Sequence, residues 1–97
     1  MRDVDLAIYA DALAGEAASV SARAERARSR LRQAAIEKRA RTELTQVAVE
    51  RLETLGLVGA IDEAAARAEL RELEAALDAL EELQSWVESE LEAATAA

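Results

Sequence analysis

The sequence predicts an all-α fold: an antiparallel helical hairpin of two long helices, assembling into a helical bundle or coiled coil. Three observations carry this. The 97 residues include no proline and only three glycines, so helix breakers are almost absent. Ala, Glu, Leu and Arg dominate, the composition of long helices and coiled coils. From residue 62 onward, apolar residues recur at alternating steps of four and three, which is heptad spacing. The organisation that follows is a single domain over 1–97, with a helix over about 3–55, a turn at 56–61 and a helix over about 62–94.

The first helix is the less uniform one. Leu6, Tyr9, Leu13, Ala17, Val20, Ala24, Ala27, Leu31 and Ala34 trace one stripe. Ile36, Ala40, Leu44, Val47, Ala48 and Leu55 trace a second, rotated by roughly a third of a turn at ~100° per residue. One straight helix cannot keep one partner on both. The sequence therefore predicts a bend or break near residues 35–40, or at Gly15 and the Ser19/Ser21 pair (residues 15–21), or two halves that face different neighbours.

The turn has its own chemistry. Gly56 is placed to take the left-handed conformation that ends a helix, with Leu57 folding back on the last turn. Asp62 reads as the N-cap of the next helix, Glu63 favours its dipole, and Ile61 occupies the staple position. In that helix Ala66, Leu70, Leu73, Leu77, Leu80, Gln84, Val87, Leu91 and Ala94 form the seam. Ala76 and Leu83 widen it, and Trp86 lies just beyond. A stripe this wide suits a bundle of three or more helices. Gln84 is the polar seam residue, of the kind that sets register or partner number.

Composition points to self-association. The apolar share is 52%, but it holds no Phe, one Trp and one Tyr, and much of it is Ala. Burial stabilises by roughly 25 cal/mol per Å² of apolar surface, so an Ala-rich core leaves a small monomer marginal. There is no cysteine for a disulfide, and oligomerisation is the usual remedy. The formal charge of −8 argues against a nucleic-acid or anionic-membrane binder. No segment is apolar enough to span a membrane, and the first residues carry no signal-type apolar run, so the expected location is cytoplasmic.

Charge also predicts how the halves pair. Residues 21–43 carry eight basic and three acidic side chains, whereas 62–97 carry eleven acidic and two basic ones. A hairpin turning near residue 58 sets Arg41 level with Ala76 and Arg23 level with Ala94. The basic segment then runs beside Asp78, Glu81, Glu82, Glu88, Glu90 and Glu92. Residues 1–20 overhang in this register, leaving Leu6, Ile8, Tyr9 and Leu13 uncovered.

No catalytic, cofactor-binding or metal-binding residue is expected. Without His or Cys, the commonest general base, the thiol nucleophile and the usual transition-metal ligands are missing. Gly56-Leu-Val-Gly59 lacks the length and the Lys-Ser/Thr of a phosphate loop. Glu69/Glu72 and Asp78/Glu81 are i, i+3 pairs that share a face, a spacing open to Mg²⁺, but solvated helix surface accounts for them. The arginines between 23 and 41 form a possible phosphate-binding stretch with no aromatic residue among them to stack on bases. Arginine stems flanking an apolar stripe, with heads reaching acids, explain it better.

The expected function is therefore non-enzymatic: a homo-oligomeric scaffold or adaptor, dimeric or larger. The alternative is a helical module that binds another protein, as a cargo chaperone or regulatory subunit does. Expected interface residues are Leu6, Tyr9, Leu13, Val20, Leu31, Leu73, Leu80, Leu83, Trp86 and Val87.

Overall fold

The computed structural model of the chain describes residues 2–96, with side chains from residue 4. It is all-α, with no strand among the described residues: α1 spans Arg2–Glu43, α2 spans Gln46–Thr54 and α3 spans Glu63–Ala96. Two compact units are distinguished, one of Met1–Arg23 with Glu72–Ala97 and one of Ala24–Arg71. They are called the terminal unit and the turn unit below.

In the terminal unit, the N-terminal part of α1 pairs antiparallel with the C-terminal part of α3. Leu13, Val20, Leu73 and Val87 are its buried residues, and Leu6, Ala10, Ala17, Leu77, Leu80, Gln84, Leu91 and Ala94 are half-buried. Ala10, Leu13 and Ala14 share a groove with Gln84, Val87 and Glu88, which fixes the level at which the helices meet. In the turn unit, Ala24, Ala27 and Ala34 of α1 are buried, as are Val49, Val58 and Ala66. Alanine at the seam lets helix axes approach near the lower end of the usual ~8–10 Å separation. The short helix α2 and the turn add Val49 and Val58 where the alanines supply little area.

Both caps at the turn follow from sequence. Leu57 N–H donates to the Leu52 carbonyl at 2.9 Å and Gly56 N–H to the Glu53 carbonyl at 3.0 Å. Gly56 has φ +72°, so α2 ends in a Schellman motif that needs its glycine. Leu57 reaches back to the last turn through its N–H, while its side chain is 60% exposed. Asp62 Oδ1 accepts from Ala65 N–H at 3.0 Å, the expected N-cap of α3.

The first helix differs from the expectation. It runs unbroken through Gly15, Ser19, Ser21 and residues 35–40, and interrupts only at Leu44–Thr45. A Cβ at Gly15 would meet nothing within 4 Å, so that glycine marks neither a close approach nor a break. Thr45 leaves the helix with φ −67° and ψ 152°, and its hydroxyl accepts from Ala48 N–H, starting α2 afresh. A single helix over 3–55 is thus replaced by α1 and α2.

That interruption also moves the register. Lys38 meets Glu63, Glu37 accepts from Gly59 N–H at 3.4 Å, and Arg30 shares a groove with Ala66 and Glu69. Arg41 lies against Gly59, not level with Ala76. Residues 46–54, expected to extend the first helix, are spent in α2, so α3 begins opposite the end of α1. No overhang results: Leu13 and Val20 are buried and Leu6 is half-buried, all within the terminal unit.

Candidate interaction surfaces

The seam is built from residues that alternate by four and three along both long helices. On α3 every expected seam residue is buried or half-buried. On α1 the seam holds at Leu6, Leu13, Ala17, Val20, Ala24, Ala27, Leu31 and Ala34, with Ala10 in the place expected for Tyr9. Tyr9 is 45% exposed because the step of four from Leu6 falls on the next residue. The seam keeps its spacing along α1 as far as Ala34, beyond which Glu37 and Ala40 are the half-buried positions. The second stripe is split: Ala40 and Ala48 are half-buried, whereas Ile36 is 64% and Leu44 45% exposed.

The expected interface residues therefore separate into two groups. Leu13, Val20, Leu73 and Val87 are buried within the chain and hold it together. Leu6, Leu31, Leu80 and Leu83 are half-buried, and Tyr9 and Trp86 are exposed, Trp86 at 55%. Among the described residues Val87 is the largest side chain that is fully buried. Leu13 and Leu73 are also buried, but the other seam leucines are only half-covered by the hairpin.

The turn unit presents a different surface. On α2, Val49 is buried and Ala48 and Leu52 half-buried, while Val47 (61%) and Leu55 (71%) point outward. Val47, Glu50, Arg51, Thr54 and Leu55 line a groove of about 510 Å³. Helix α2 is apolar on both sides, and only its inner side is covered. Sequence reasoning took Val47 and Leu55 as part of a long first helix, and missed this face because it missed the cap at Thr45.

The described charge pairs sit in the turn unit; three lie each within one helix and one, Lys38–Glu63, joins α1 to α3. Glu25 takes Arg32 at 2.8 Å and Arg28 at 3.6 Å. The hydrogen bond and charge of Arg32, with a smaller contribution from Arg28, hold the Glu25 carboxyl below its ordinary value against a small opposing effect of burial. Glu63 takes Lys38 at 2.6 Å and Arg67 at 3.6 Å. The Lys38 hydrogen bond lowers its carboxyl pKa, opposed by burial and helped by the charges of Lys38 and Arg67. The acids expected to meet the basic segment, Asp78, Glu81, Glu82, Glu88, Glu90 and Glu92, belong to the terminal unit and are exposed.

Charge divides accordingly. The terminal unit carries 12 acidic and 2 basic residues, a net −10, and the turn unit 8 acidic and 10 basic, a net +2. Among the described residues, no group of three or more Asp or Glu is disposed to hold a metal ion, and no helix is long and apolar enough to cross a membrane. Glu69 sits in a groove with Arg30, a cation already present in the chain. No family model, characterised protein or solved structure matches this chain.

Proposed function

We propose that the chain is a non-enzymatic, cytoplasmic structural protein that self-associates into a helical bundle and acts as a scaffold or adaptor. The observation that carries this reading is the half-covered seam. Leu6, Leu31, Leu70, Leu77, Leu80 and Leu91 all remain partly wet, and nine large apolar residues stand exposed among the described residues. The chain exposes 7213 Å², whereas a globular monomer of its 10.4 kDa exposes about 5,400 Å². The difference exceeds the ~800 Å² that each partner contributes to an interface of standard size. Each additional buried leucine stabilises the assembly by up to ~1.5–3 kcal/mol, enough for a few to decide the matter in a small domain.

Light scattering between 1 and 100 µM, a range chosen to bracket typical homodimer affinities of about micromolar, tests this. Self-association gives a mass that is a multiple of 10.4 kDa. A folded monomer throughout would refute it.

A second reading rests on α2. Its outward Val47 and Leu55, with the groove between Glu50, Arg51 and Thr54, support a binding module whose apolar face accepts another protein. Val47→Glu with Leu55→Glu separates the two readings. If the scaffold reading holds through the seam, these changes leave the mass of the assembly unaltered. If α2 is the binding face of a monomeric module, they abolish binding of a hydrophobic dye to the purified chain.

A further inference from the structure

Trp86, the one tryptophan of the chain, belongs to the terminal unit and is 55% exposed. A covered aromatic side chain buries about 150–250 Å², so much of that contribution is unused here. Its indole N–H makes no hydrogen bond among the described residues. Glu82 and Glu90 stand one helical turn to either side of it on α3, and both are exposed. The turn unit offers a counterpart. Val47, Arg51 and Leu55 recur at steps of four along α2, with Glu50 and Thr54 beside them, so one helix face lines the groove of about 510 Å³. That volume lies within the ~300–1,000 Å³ of sites for compact ligands and is ample for an indole. Val47 and Leu55 give it apolar walls, and Glu50 and Thr54 carry oxygens able to accept from an indole N–H. The Arg51 guanidinium makes no ion pair among the described residues.

We infer that Trp86 of one copy seats in the α2 groove of a second copy, with its indole against the Arg51 guanidinium. This deepens the self-association reading and rests on it. A guanidinium over an indole face is favoured by the ring's quadrupole, and Trp and Arg are enriched among the side chains that dominate contacts between proteins. The charges agree. Glu82 and Glu90 arrive with Trp86 from a unit of net −10, and meet Arg51 in a unit of net +2. Val47 and Leu55, at 61% and 71% exposure, lose water to the same ring that loses its own. Made reciprocally, the contact closes a twofold dimer, and made once per copy it runs head to tail.

A single tryptophan reports on its own contact, so the test is its fluorescence in the full-length chain. Between about 1 and 100 µM, a range that brackets micromolar association, emission should move to shorter wavelength as the indole leaves water. Val47→Glu with Leu55→Glu, both at exposed positions, should abolish that shift. Arg51→Ala should displace it to roughly three- to thirtyfold higher concentration, the loss of one cation–π contact. A mixture isolates the contact. The Trp86→Ala chain keeps its groove and emits no tryptophan fluorescence, and the groove-blocked chain keeps its tryptophan. Adding the first to the second should restore the shift that the second lacks alone. No shift on mixing, a shift that survives Val47→Glu with Leu55→Glu, or one that Arg51→Ala leaves unmoved would overturn this inference and leave self-association standing. Constant emission from an unaltered chain whose mass rises would do the same. An unaltered chain that stays monomeric would remove both.

Discussion

The two units solve one problem with different materials. In the terminal unit, α1 brings Leu6, Leu13 and Val20 to the seam, and two helices suffice to bury Leu73 and Val87. In the turn unit, α1 brings Ala24, Ala27 and Ala34, and a third element must supply Val49 and Val58. Large side chains bury area at the cost of rotamer freedom, whereas alanine loses none and contributes close backbone approach. Half-covered leucines remain in both units; the first is acidic, and the second holds the described charge pairs. The lesson is that an unbroken heptad does not imply a uniform interface.

The largest effects should come from the terminal seam. Leu73→Ala and Leu13→Ala, at 6% and 7% exposure, should each cost ~2–5 kcal/mol, read as a lower midpoint in urea unfolding. The turn unit should respond to the opposite change. Ala24→Leu, at a site with 0% exposure, overfills a close approach and should cost ~1–3 kcal/mol. If Ala24→Leu is neutral, the alanine seam is looser than described, and the contrast between the units fails.

Smaller effects sharpen the same contrast. Thr45→Ala removes the hydroxyl that accepts from Ala48 N–H and should cost ~1 kcal/mol, with faster amide exchange confined to α2. Gly59→Ala should be worse tolerated than Gly15→Ala. Gly59 has φ +79° and its new Cβ would strike the Arg41 guanidinium, whereas Gly15 lies in a helix with open space around it. A Gly15→Ala change there should stabilise by up to ~1 kcal/mol.

Much of this was legible in sequence, and the parts that were not have physical reasons. The α3 seam, Gly56 and Asp62 were readable because heptad spacing and cap chemistry are local. Tyr9 was misplaced by one position, since steps of three and four both fit next to Leu6. The larger error came from Thr45. A threonine after Leu44 is a weak N-cap signal beside an apolar pattern that continues through Val47 and Ala48, yet it ends the helix. Missing it displaced the register and produced an overhang that the fold lacks. Trp86 was legible as lying just beyond the seam, whereas the exposed face of α2 was not, because apolar residues look alike whether they face a partner or the core.

Acid should loosen the turn unit. The Glu25 and Glu63 carboxyls are held below their ordinary value of 4.5 in the folded chain, so their contribution is complete above that value. It is lost as pH falls through their lowered folded-state values, loosening the turn unit. Residue-resolved amide exchange between neutral pH and about pH 3, below the ordinary carboxylate range, should show protection falling around Glu63. Unchanged protection there would contradict a stabilising role for these pairs.

The central claim is that the seam is completed by association, and the thermal midpoint as a function of chain concentration tests it most directly. Ligand linkage requires that a fold stabilised by its own copies melt at higher temperature as concentration rises. The account predicts a midpoint that climbs by roughly five to ten degrees over a hundredfold increase in concentration, since that increase adds about 2.7 kcal/mol per dimer, half of it per chain. A cooperative melt whose midpoint stays constant over that range would show that the half-covered seam is stable alone, and would contradict it.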